Sequence, residues 1–237
     1  MIMNELHHPD RLYIIGDIHG RLDLLDQMID RIGRDAQRFG GTNLTVTLGD
    51  YVDRGPDSRG VINRLLNNPF PGDYIALKGN HEALFERFLK EPDIGNYWRQ
   101  FGGLQTLHSF GIAVRPLMMS RKFEDVAEQL RSVLSADQLN FIKSLKNSLT
   151  VDHYFLCHAG VRPGVPLDRQ REEDLLWIRH DFLCSDEDFG KIVVHGHTPI
   201  ERPEFRSNRI NIDTGAYATG KLTCLVVEAG KCWTMST

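Results

Sequence analysis

Residues 11–20 read RLYIIGDIHG, and this stretch decides the fold class. It begins with an apolar run that ends in a glycine, which is typical of a buried strand followed by a turn. Residues 21–32 then place apolar side chains on one face of a predicted helix. The same order of strand, polar turn and helix recurs after strands predicted at residues 43–48 and 74–77. Repeated units of this kind predict a parallel sheet covered by helices.

The chain changes character at about residues 91–147, where helical periodicity and aromatic residues predominate. The run SADQ at residues 135–138 predicts a capping box, in which a serine and a glutamine satisfy the first amides of a helix. We interpret this region as a small helical insertion, or cap, within a single domain over residues 1–237.

The last third of the chain predicts strands again, at residues 151–157, 192–194, 209–212 and 221–227. The last two flank a turn at residues 213–215, which predicts a second sheet with antiparallel pairs. Two mixed sheets with helices outside give an α/β fold, a four-layer αββα sandwich.

The composition is that of an ordinary globular protein, with 41% hydrophobic residues, 25% charged residues and a formal net charge of −4. There is no Lys/Arg-rich stripe, so we expect no nucleic-acid partner. No apolar run reaches the roughly 18 residues of a membrane span. The N-terminus also lacks the apolar stretch of a signal peptide. We therefore expect a protein that has no membrane partner.

The four cysteines show no C-x-x-C spacing. Cys157 and Cys224 lie in apolar, strand-like runs, so we expect buried thiols. A reducing, cytoplasmic setting is the expectation that follows.

Carboxylates and a histidine follow the first two predicted strands. Asp17 and His19 are two residues apart, so in extended chain they point the same way, and the pair suits Mn, Fe or Zn. Asp50 can bridge two metals because a carboxylate has two oxygens to share. Arg54 offers a planar fork for phosphate. The alternatives are a helix-capping Asp17, a surface His19 and a plain ion pair of Asp53 with Arg54.

A third polar group follows the predicted strand at residues 74–77. Asn80 can bind a metal through its carbonyl oxygen, and His81 is a candidate general acid. The alternative is a helix start, with Asn80 as the N-cap and Glu82 as a favourable acid in the first turn.

Histidines follow two later strands in the same topological position. These are His158, His195 and His197, and in parallel sheets functional groups gather beyond the carboxyl ends of the strands. A lone histidine is more often structural than a ligand. Arg179 ends a helix-like run and can supply a second phosphate clamp, with a solvated charge as the alternative. Residues 213–216 are predicted to form a turn that packs under the site.

Together these motifs, in this order, resemble the metallophosphoesterase superfamily, over about residues 12–227. The complete forms GDIHG, GDYVDRG and GNHE resemble its serine/threonine protein phosphatase (PPP) branch. The further motifs make the chain most similar to the compact bacterial and phage phosphatases. The stretches that carry the resemblance are residues 16–20, 49–55, 79–82, 177–179, 196–199 and 212–216.

The resemblance implies a calcineurin-like domain with a dinuclear metal site. One metal would be held by Asp17, His19 and a bridging Asp50. In the other half, His197 takes the ligand position because it directly precedes Thr198 and Pro199, which leaves His195 a structural role. The ligands implied for the second metal are Asp50, Asn80, His158 and His197.

The resemblance also implies a mechanism. A hydroxide that bridges the two metals attacks phosphorus directly. Arg54 and Arg179, together with Asn80 and His81, bind the phosphoryl group. His81 protonates the leaving alkoxide, and Asp53 orients His81. The cofactors implied are two divalent metal ions, with Mn as the first choice and Fe or Zn as alternatives.

We expect a phosphoprotein phosphatase of the serine/threonine type that hydrolyses phosphate monoesters. The complete pair of Asp53 and Arg54 favours a phosphorylated protein or a small phosphomonoester as substrate. Pro199 cannot bind a metal through its side chain, which argues against phosphodiesterases that have histidine there. The alternatives are a symmetrical bis(5'-nucleosyl)-tetraphosphatase and, from another class, a catalytically dead phosphopeptide-binding module. The sequence leaves the oligomeric state open.

Overall fold

The computed structural model describes residues 9–114 and 123–237. In these residues the strands form two five-stranded sheets. The strands are β1 (Arg11–Ile15), β2 (Asn43–Thr47), β3 (Asp73–Ala76), β4 (Ser148–Val151), β5 (Tyr154–Cys157), β6 (Ile192–His195), β7 (Glu204–Phe205), β8 (Arg209–Asn211), β9 (Thr223–Glu228) and β10 (Lys231–Ser236).

Each sheet combines three neighbouring parallel strands with two strands that pair antiparallel. The first has the order β10-β9-β1-β2-β3, and the second has the order β4-β5-β6-β8-β7. Strands β1, β2 and β3 run parallel, as do β5, β6 and β8. The other strands pair antiparallel with their neighbours. The parallel strands of each sheet therefore end at a common edge, where their following turns can meet.

Helices connect most of these strands. Those in the described residues are α1 (Leu22–Phe39), α2 (Ser58–Leu65), α3 (Asn80–Lys90), α4 (Gly95–Trp98), α5 (Gly103–Ser109), α6 (Phe123–Val133), α7 (Ala136–Ser144), α8 (Glu172–Trp177), α9 (His180–Leu183) and α10 (Ala216–Thr219). None of them is long and apolar enough to cross a membrane.

The alternation of side chains along β1 shows how the layers form. Leu12 and Ile14 point to the apolar cluster between the two sheets, whereas Tyr13 and Ile15 point to the helices outside the first sheet. Strand β5 alternates in the same way, because Leu156 packs between the sheets while its neighbours pack against α8 and α9. The predicted four-layer αββα sandwich of two mixed sheets is confirmed.

Helix α1 follows β1 and supplies the outer layer of the first sheet. Leu25, Met28 and Ile32 are fully buried at helical spacing, and each contributes about 1.5–3 kcal/mol by burial. The helix continues past the predicted end because Ala36 extends the buried face. Gly40 ends it with a φ of 75°, which a glycine adopts without strain.

Two strand predictions were wrong. The stretch at residues 151–157 contains the last residue of β4, a turn at Asp152 and His153, and β5, which pairs antiparallel with β4. The strand at residues 221–227, expected in the second sheet, is β9 and pairs with β1 in the first sheet. It is buried on both faces, so its apolar pattern cannot tell which sheet it joins. The sequence also did not predict β10.

The predicted insertion is helical in the part that the structure describes. Residues 115–122 lie outside the described residues. The capping box is confirmed: the Ser135 hydroxyl accepts from the Gln138 amide at 3.1 Å, and the Gln138 side chain accepts from the Ser135 amide at 3.0 Å. Trp98, Phe110 and Phe123 join the same apolar cluster as α1 and α3. The boundaries of the domain and of the insertion stay a prediction.

The buried thiols are also confirmed. Cys157 and Cys224 are free and fully buried, and burial raises the pKa of both thiols.

Candidate functional site

The turns after β1, β2, β3, β5 and β6 meet at one edge of the two sheets. Backbone hydrogen bonds join them, since the amide of His19 donates to the carbonyl of Asp50 at 2.7 Å. The amide of His197 donates to Oδ2 of Asp17 at 3.1 Å, although the two residues are 180 positions apart. All six residues predicted as metal ligands are buried in this region: Asp17, His19, Asp50, Asn80, His158 and His197.

Asp50 lies between two groups of polar side chains. Its Oδ2 is 3.3 Å from Nε2 of His19, and its Oδ1 is 3.4 Å from Nε2 of His158. One carboxylate therefore faces both groups, as a bridging ligand must. We call Asp17, His19 and Asp50 the first half of the site. The second half consists of Asp50, Asn80, His158 and His197.

The backbone sets the proton position on two of these histidines. Nδ1 of His19 lies 2.9 Å from the carbonyl oxygen of Val52, and Nδ1 of His158 lies 3.0 Å from that of Leu48. A carbonyl only accepts, so Nδ1 carries the hydrogen and Nε2 presents its lone pair to Asp50. Metal-binding histidines are commonly oriented by such a bond. Two acceptors that face each other here fit a cation between them.

The second half gathers three ligand atoms in a tight triangle. Oδ1 of Asn80 is 2.9 Å from Nε2 of His158 and 2.8 Å from Nδ1 of His197. The two histidine nitrogens are 3.2 Å apart. An octahedral cation with ligands at about 2.1 Å separates neighbouring ligand atoms by about 3.0 Å, so these atoms fit one ion. Burial lowers the pKa of His197 to about 2, which keeps its imidazole neutral and able to bind a metal.

The first half concentrates negative charge. Asp17 is 2% exposed, and its Oδ1 has no hydrogen-bond partner among the described residues. Burial, together with the carboxylates of Asp213 and Asp50, raises the pKa of Asp17 well above its usual range. Asp213 is also buried and lies in the turn that the sequence predicted under the site. Buried carboxylates that repel each other fit a divalent cation, which would offset their charge.

Beside the first half lies a histidine with a carboxylate partner. Nδ1 of His81 is 2.7 Å from Oδ2 of Asp53, and both residues are fully buried. Burial lowers the pKa of His81, but the carboxylates of Asp50 and Asp53 outweigh it and raise the pKa above the usual value. Nε2 of His81 faces Nη2 of Arg54 at 3.3 Å. The structure thus brings His81, Asp53 and Arg54 together as predicted.

Two arginines contact different histidines of the cluster. Arg54 lies beside His81, and Nε of Arg179 donates to Nε2 of His197 at 3.0 Å. A metal bound at Nδ1 of His197 would place the hydrogen on Nε2, so Arg179 would then give up this contact and be free to bind another acceptor. Arg179 is exposed, so it borders solvent as well as the second half. Tyr217, which the sequence did not indicate, lies with its ring centre 4.6 Å from the guanidinium carbon of Arg54. Such stacking holds Arg54 in place.

Glu82 has a role that the sequence did not predict. Its carboxylate accepts from the backbone amides of Asp50 at 2.8 Å, Tyr51 at 2.8 Å, Val52 at 3.1 Å and Gly79 at 3.0 Å. It therefore joins the turn after β2 to the turn after β3. The sequence indicated only an acid in the first turn of a helix. Burial raises the pKa of Glu82 to about 7, although these amides act in the opposite direction.

The backbone of the site is strained. Non-glycine residues rarely adopt a positive φ, yet several predicted site residues do so. They are His19 at 45°, Asp50 at 52°, Asp53 at 71°, Arg54 at 69° and His197 at 65°. The turns after β2 and β3 also touch, because a Cβ on Gly49 would lie 2.4 Å from the backbone nitrogen of Gly79. Only glycine permits that approach.

His195 lies next to the site but points elsewhere. Its ring packs edge-on against Phe182 with 4.9 Å between ring centres, and burial lowers its pKa to about 3. Its Nδ1 lies 3.2 Å from the carbonyl oxygen of Gly196. Within the described residues the carboxylates and histidines that lie close enough to share an ion form two groups, one of His19, Asp50 and His81 and one of Asp50, His158 and His197, and His195 belongs to neither. Its structural role stays a prediction.

Known proteins resemble this chain over most of its length. Serine/threonine-protein phosphatase 2 of Escherichia coli strain K12 is 37% identical over 225 residues, which cover 92% of this chain and 93% of that protein. The asymmetrical bis(5'-nucleosyl)-tetraphosphatase PrpE of Halalkalibacterium halodurans is 26% identical over 231 residues, 90% of this chain and 88% of its own.

A solved structure, provisionally assigned as a diadenosine tetraphosphatase, has a TM-score of 0.66 at 22% identity. The match covers 95% of this chain and 93% of that chain, and it shows the shared fold. Residues 10–224 match the calcineurin-like phosphoesterases, whose members use a dinuclear metal site. The chain therefore belongs to the calcineurin-like phosphoesterase family and is a metal-dependent phosphoesterase.

Proposed function

We propose that this protein is a phosphoprotein phosphatase of the serine/threonine type, which hydrolyses phosphate monoesters. The pair of His81 and Asp53 beside Arg54 carries this proposal. A serine or threonine alkoxide is a poor leaving group, so its departure needs a proton donor next to a phosphate-binding group. The phosphatase from Escherichia coli that is 37% identical to the chain supports the same substrate class.

The residues that would hold the metals are those of the two halves described above. The first ion would bind to Asp17, His19 and Asp50, and the second to the four ligands of the second half. When bound, two divalent cations lower the pKa of a water molecule at the site and offset charge on the phosphoryl group. We propose Mn²⁺ as the native ion, because the set mixes imidazole, carboxylate and amide oxygen ligands, with Fe or Zn as alternatives.

The chain's own residues bind and orient the substrate. Arg54 and Arg179 approach the cluster from two sides, so their guanidinium groups would hold different oxygens of one phosphoryl group. Asn80, which contacts His197, and His81, which contacts Arg54, would complete the phosphoryl site. The same contacts would stabilise the charge that builds up on these oxygens as the ester bond breaks.

His81 would donate its proton from Nε2 to the leaving oxygen, while Nδ1 keeps its bond to Asp53. In the structure Nη2 of Arg54 faces Nε2 at 3.3 Å. Because arginine is always a donor, that contact requires an unprotonated Nε2. A phosphoryl oxygen that accepts from Arg54 would remove this contact and let Nε2 hold a proton. Binding of the phosphate thereby prepares the acid.

Hydrolysis of dinucleoside tetraphosphates is the second candidate. It is favoured by the relatives named as asymmetrical bis(5'-nucleosyl)-tetraphosphatases, which are 26–28% identical to this chain. The alternative that the sequence offers is the symmetrical type of that reaction, whereas these relatives are named for the asymmetrical type. A catalytically dead phosphopeptide-binding module is disfavoured, because such a module needs neither the complete ligand set nor His81.

A substrate panel tests the proposal. A phosphoserine peptide, para-nitrophenyl phosphate and diadenosine tetraphosphate would be compared at equal concentration with Mn²⁺, with EDTA as the control. We expect the highest kcat/KM for the phosphopeptide and no turnover in EDTA. A clear preference for the dinucleotide would replace the proposal with the second candidate. Binding of the phosphopeptide without hydrolysis of any substrate would identify the dead module.

A partner and a location belong to the same proposal. We propose a phosphorylated protein as the natural partner and the cytoplasm as the location, to which the free thiols of the described cysteines are suited.

A further inference from the structure

Asp53 is held by the helical insertion as well as by His81. The indole Nε1 of Trp98 donates to Oδ2 of Asp53 at 2.9 Å, the oxygen that also binds Nδ1 of His81 at 2.7 Å. The hydroxyl of Thr106 donates to Oδ1 at 2.6 Å. Asp53 is 0% exposed, so these donors replace the water that an exposed carboxylate would bind.

Trp98 cannot turn its N–H away from Asp53. The indole is 1% exposed and packs against Phe88 and Phe85 with 4.6 and 6.0 Å between ring centres. A Cβ on Gly103 would lie 2.5 Å from the indole ring, so helix α5 also packs closely against the ring. The packing therefore determines where the N–H points.

Thr106 holds the backbone and the side chain of Asp53 together. Its hydroxyl accepts from the Asp53 amide at 2.8 Å while it donates to Oδ1. It also lies 3.0 Å from the hydroxyl of Ser58, and Thr106 is 0% exposed. Asp53 has a φ of 71°, a strained conformation that persists only where its surroundings enforce it.

The simplest alternative is that Trp98 and Thr106 only satisfy hydrogen bonds in the core. Buried indoles and hydroxyls commonly find some acceptor. Here, however, both donate to the carboxylate of Asp53, which is bonded to His81. The amide of Arg54 also donates to the carbonyl of Gly102, between α4 and α5, at 3.3 Å. The insertion thus contacts two successive residues that the proposed function uses.

We propose that Trp98 and Thr106 are positioning residues for proton donation by His81, and that they act through Asp53. The inference rests on the proposed function, in which His81 protonates the leaving oxygen. With the Asp53 carboxylate held at both oxygens, the imidazole of His81 has one orientation, with Nε2 toward the phosphoryl site. The helical insertion then serves the chemical step directly.

Trp98→Phe tests the proposal, since it removes the N–H and keeps an aromatic ring in the packing. We expect kcat for a phosphoserine peptide to fall about tenfold, a part of the 10²–10⁴-fold share typical of general acid catalysis. The rate with para-nitrophenyl phosphate should change less than about twofold, because its leaving group needs little protonation. KM and the bound metal per chain should stay as in the wild type.

Two controls separate positioning from stability. Phe85→Leu disturbs the packing on the Trp98 ring but leaves the N–H in place. It should lower Tm and leave unchanged the ratio of the phosphopeptide rate to the para-nitrophenyl phosphate rate. Thr106→Val removes the hydroxyl and should lower this ratio. Thr106→Ser keeps the hydroxyl and should have the wild-type ratio. If Thr106→Val does not fold, Trp98→Phe and Thr106→Ser still decide the question.

The outcomes distinguish the two proposals. If the wild type hydrolyses neither substrate with Mn²⁺, the proposed function fails. If the wild type is active but Trp98→Phe lowers both rates equally, or neither, the positioning role is overturned. Trp98→Phe made together with His81→Asn gives a further check, because no added change of the ratio is expected once the acid is gone. An added change would mean that Trp98 acts by another route.

Discussion

The two halves of the candidate metal site are built from different chemistry. In the second half, Asn80, His158 and His197 bring neutral ligand atoms within 3.2 Å of one another. In the first half, carboxylates dominate, and Oδ1 of Asp17 has no partner among the described residues. The second half is therefore arranged to receive an ion, whereas the first half depends on an ion to offset its charge.

His81, the proposed proton donor, lies on the side of the first half. The rings of His81 and His19 pack edge-on with 4.6 Å between centres, while the second half is bordered by Arg179 and Trp177. We propose a difference in role between the two halves, in which the second half would bind an ion firmly and the first half would combine an ion with acid chemistry. Substitutions of single residues test whether the two halves differ in this way.

The largest effect is expected from Asp50→Asn, because Asp50 faces both halves. An amide has one acceptor oxygen and no charge, so it cannot replace the bridge. We expect loss of both metal ions and at least about a 10³-fold fall in turnover. Metal content by mass spectrometry and hydrolysis of para-nitrophenyl phosphate measure the two effects. Wild-type turnover with two bound ions would refute the bridging role.

Next in size is the pair His19→Ala and His158→Ala, which sharpens the comparison between the halves. Each variant should keep one ion and lose at least about 10²-fold in turnover, since the reaction uses both ions. The ion kept by His19→Ala, in the second half, should bind about tenfold more tightly than the ion kept by His158→Ala. Titration with Mn²⁺ followed by calorimetry gives the affinities. Equal affinities would contradict the proposed difference between the halves.

His81→Asn should leave both metals bound and slow turnover by about 10²–10⁴-fold for a phosphoserine peptide. The loss should shrink with para-nitrophenyl phosphate, because its leaving group is more stable as an anion. Parallel kinetics with aryl and alkyl phosphates check this. The same loss for both classes would argue against His81 as the acid.

Glu82→Gln should mainly affect stability, because Glu82 joins the turns after β2 and β3. The amide group of glutamine would place donors against backbone amides that need acceptors. We expect a loss of about 1–3 kcal/mol in the free energy of unfolding, measured by denaturant titration. Glu86→Gln is the matched control on the same helix, and it should cost less.

The smallest effect is expected from Tyr217→Leu. Loss of the aromatic ring over Arg54 removes an interaction of about 0.5–1 kcal/mol, so KM for the phosphopeptide should rise about two- to fivefold with kcat unchanged. Steady-state kinetics separate the two constants. A fall in kcat with unchanged KM would place Tyr217 in the chemical step instead.

The sequence predicted the four layers of the fold and the residues that meet at the candidate site, because both follow from local patterns. Strands that end in a glycine and a polar residue place Asp17, Asp50 and Asn80 at one sheet edge, whatever the details of packing. The sheet to which β9 belongs could not be predicted in this way. Its apolar run suits either sheet, and its place is decided by pairing with β1 more than two hundred residues earlier in the chain.

The supporting contacts were missed for a related reason. Glu82 looks like a helix-start acid, and its bonds to the turn after β2 appear only when β2 and β3 pair side by side. Trp98 and Asp53 are 45 positions apart, and Trp98 has the apolar surroundings of any core indole. Local patterns do not specify which buried acceptor such an N–H will find.

The hydrogen bond between His197 and Asp17, 180 positions apart, has a consequence for folding. The first half comes from turns of the first sheet alone, but the second half takes Asp50 and Asn80 from the first sheet and His158 and His197 from the second. The second half therefore does not exist until the two sheets have closed on each other. An ion that binds only this closed state stabilises the protein by RT ln(1 + [M]/Kd), a linkage that favours all-or-none unfolding. Occupancy of the second half would therefore report on the closure of the two sheets, and chains in which they have not closed would lack that half of the site.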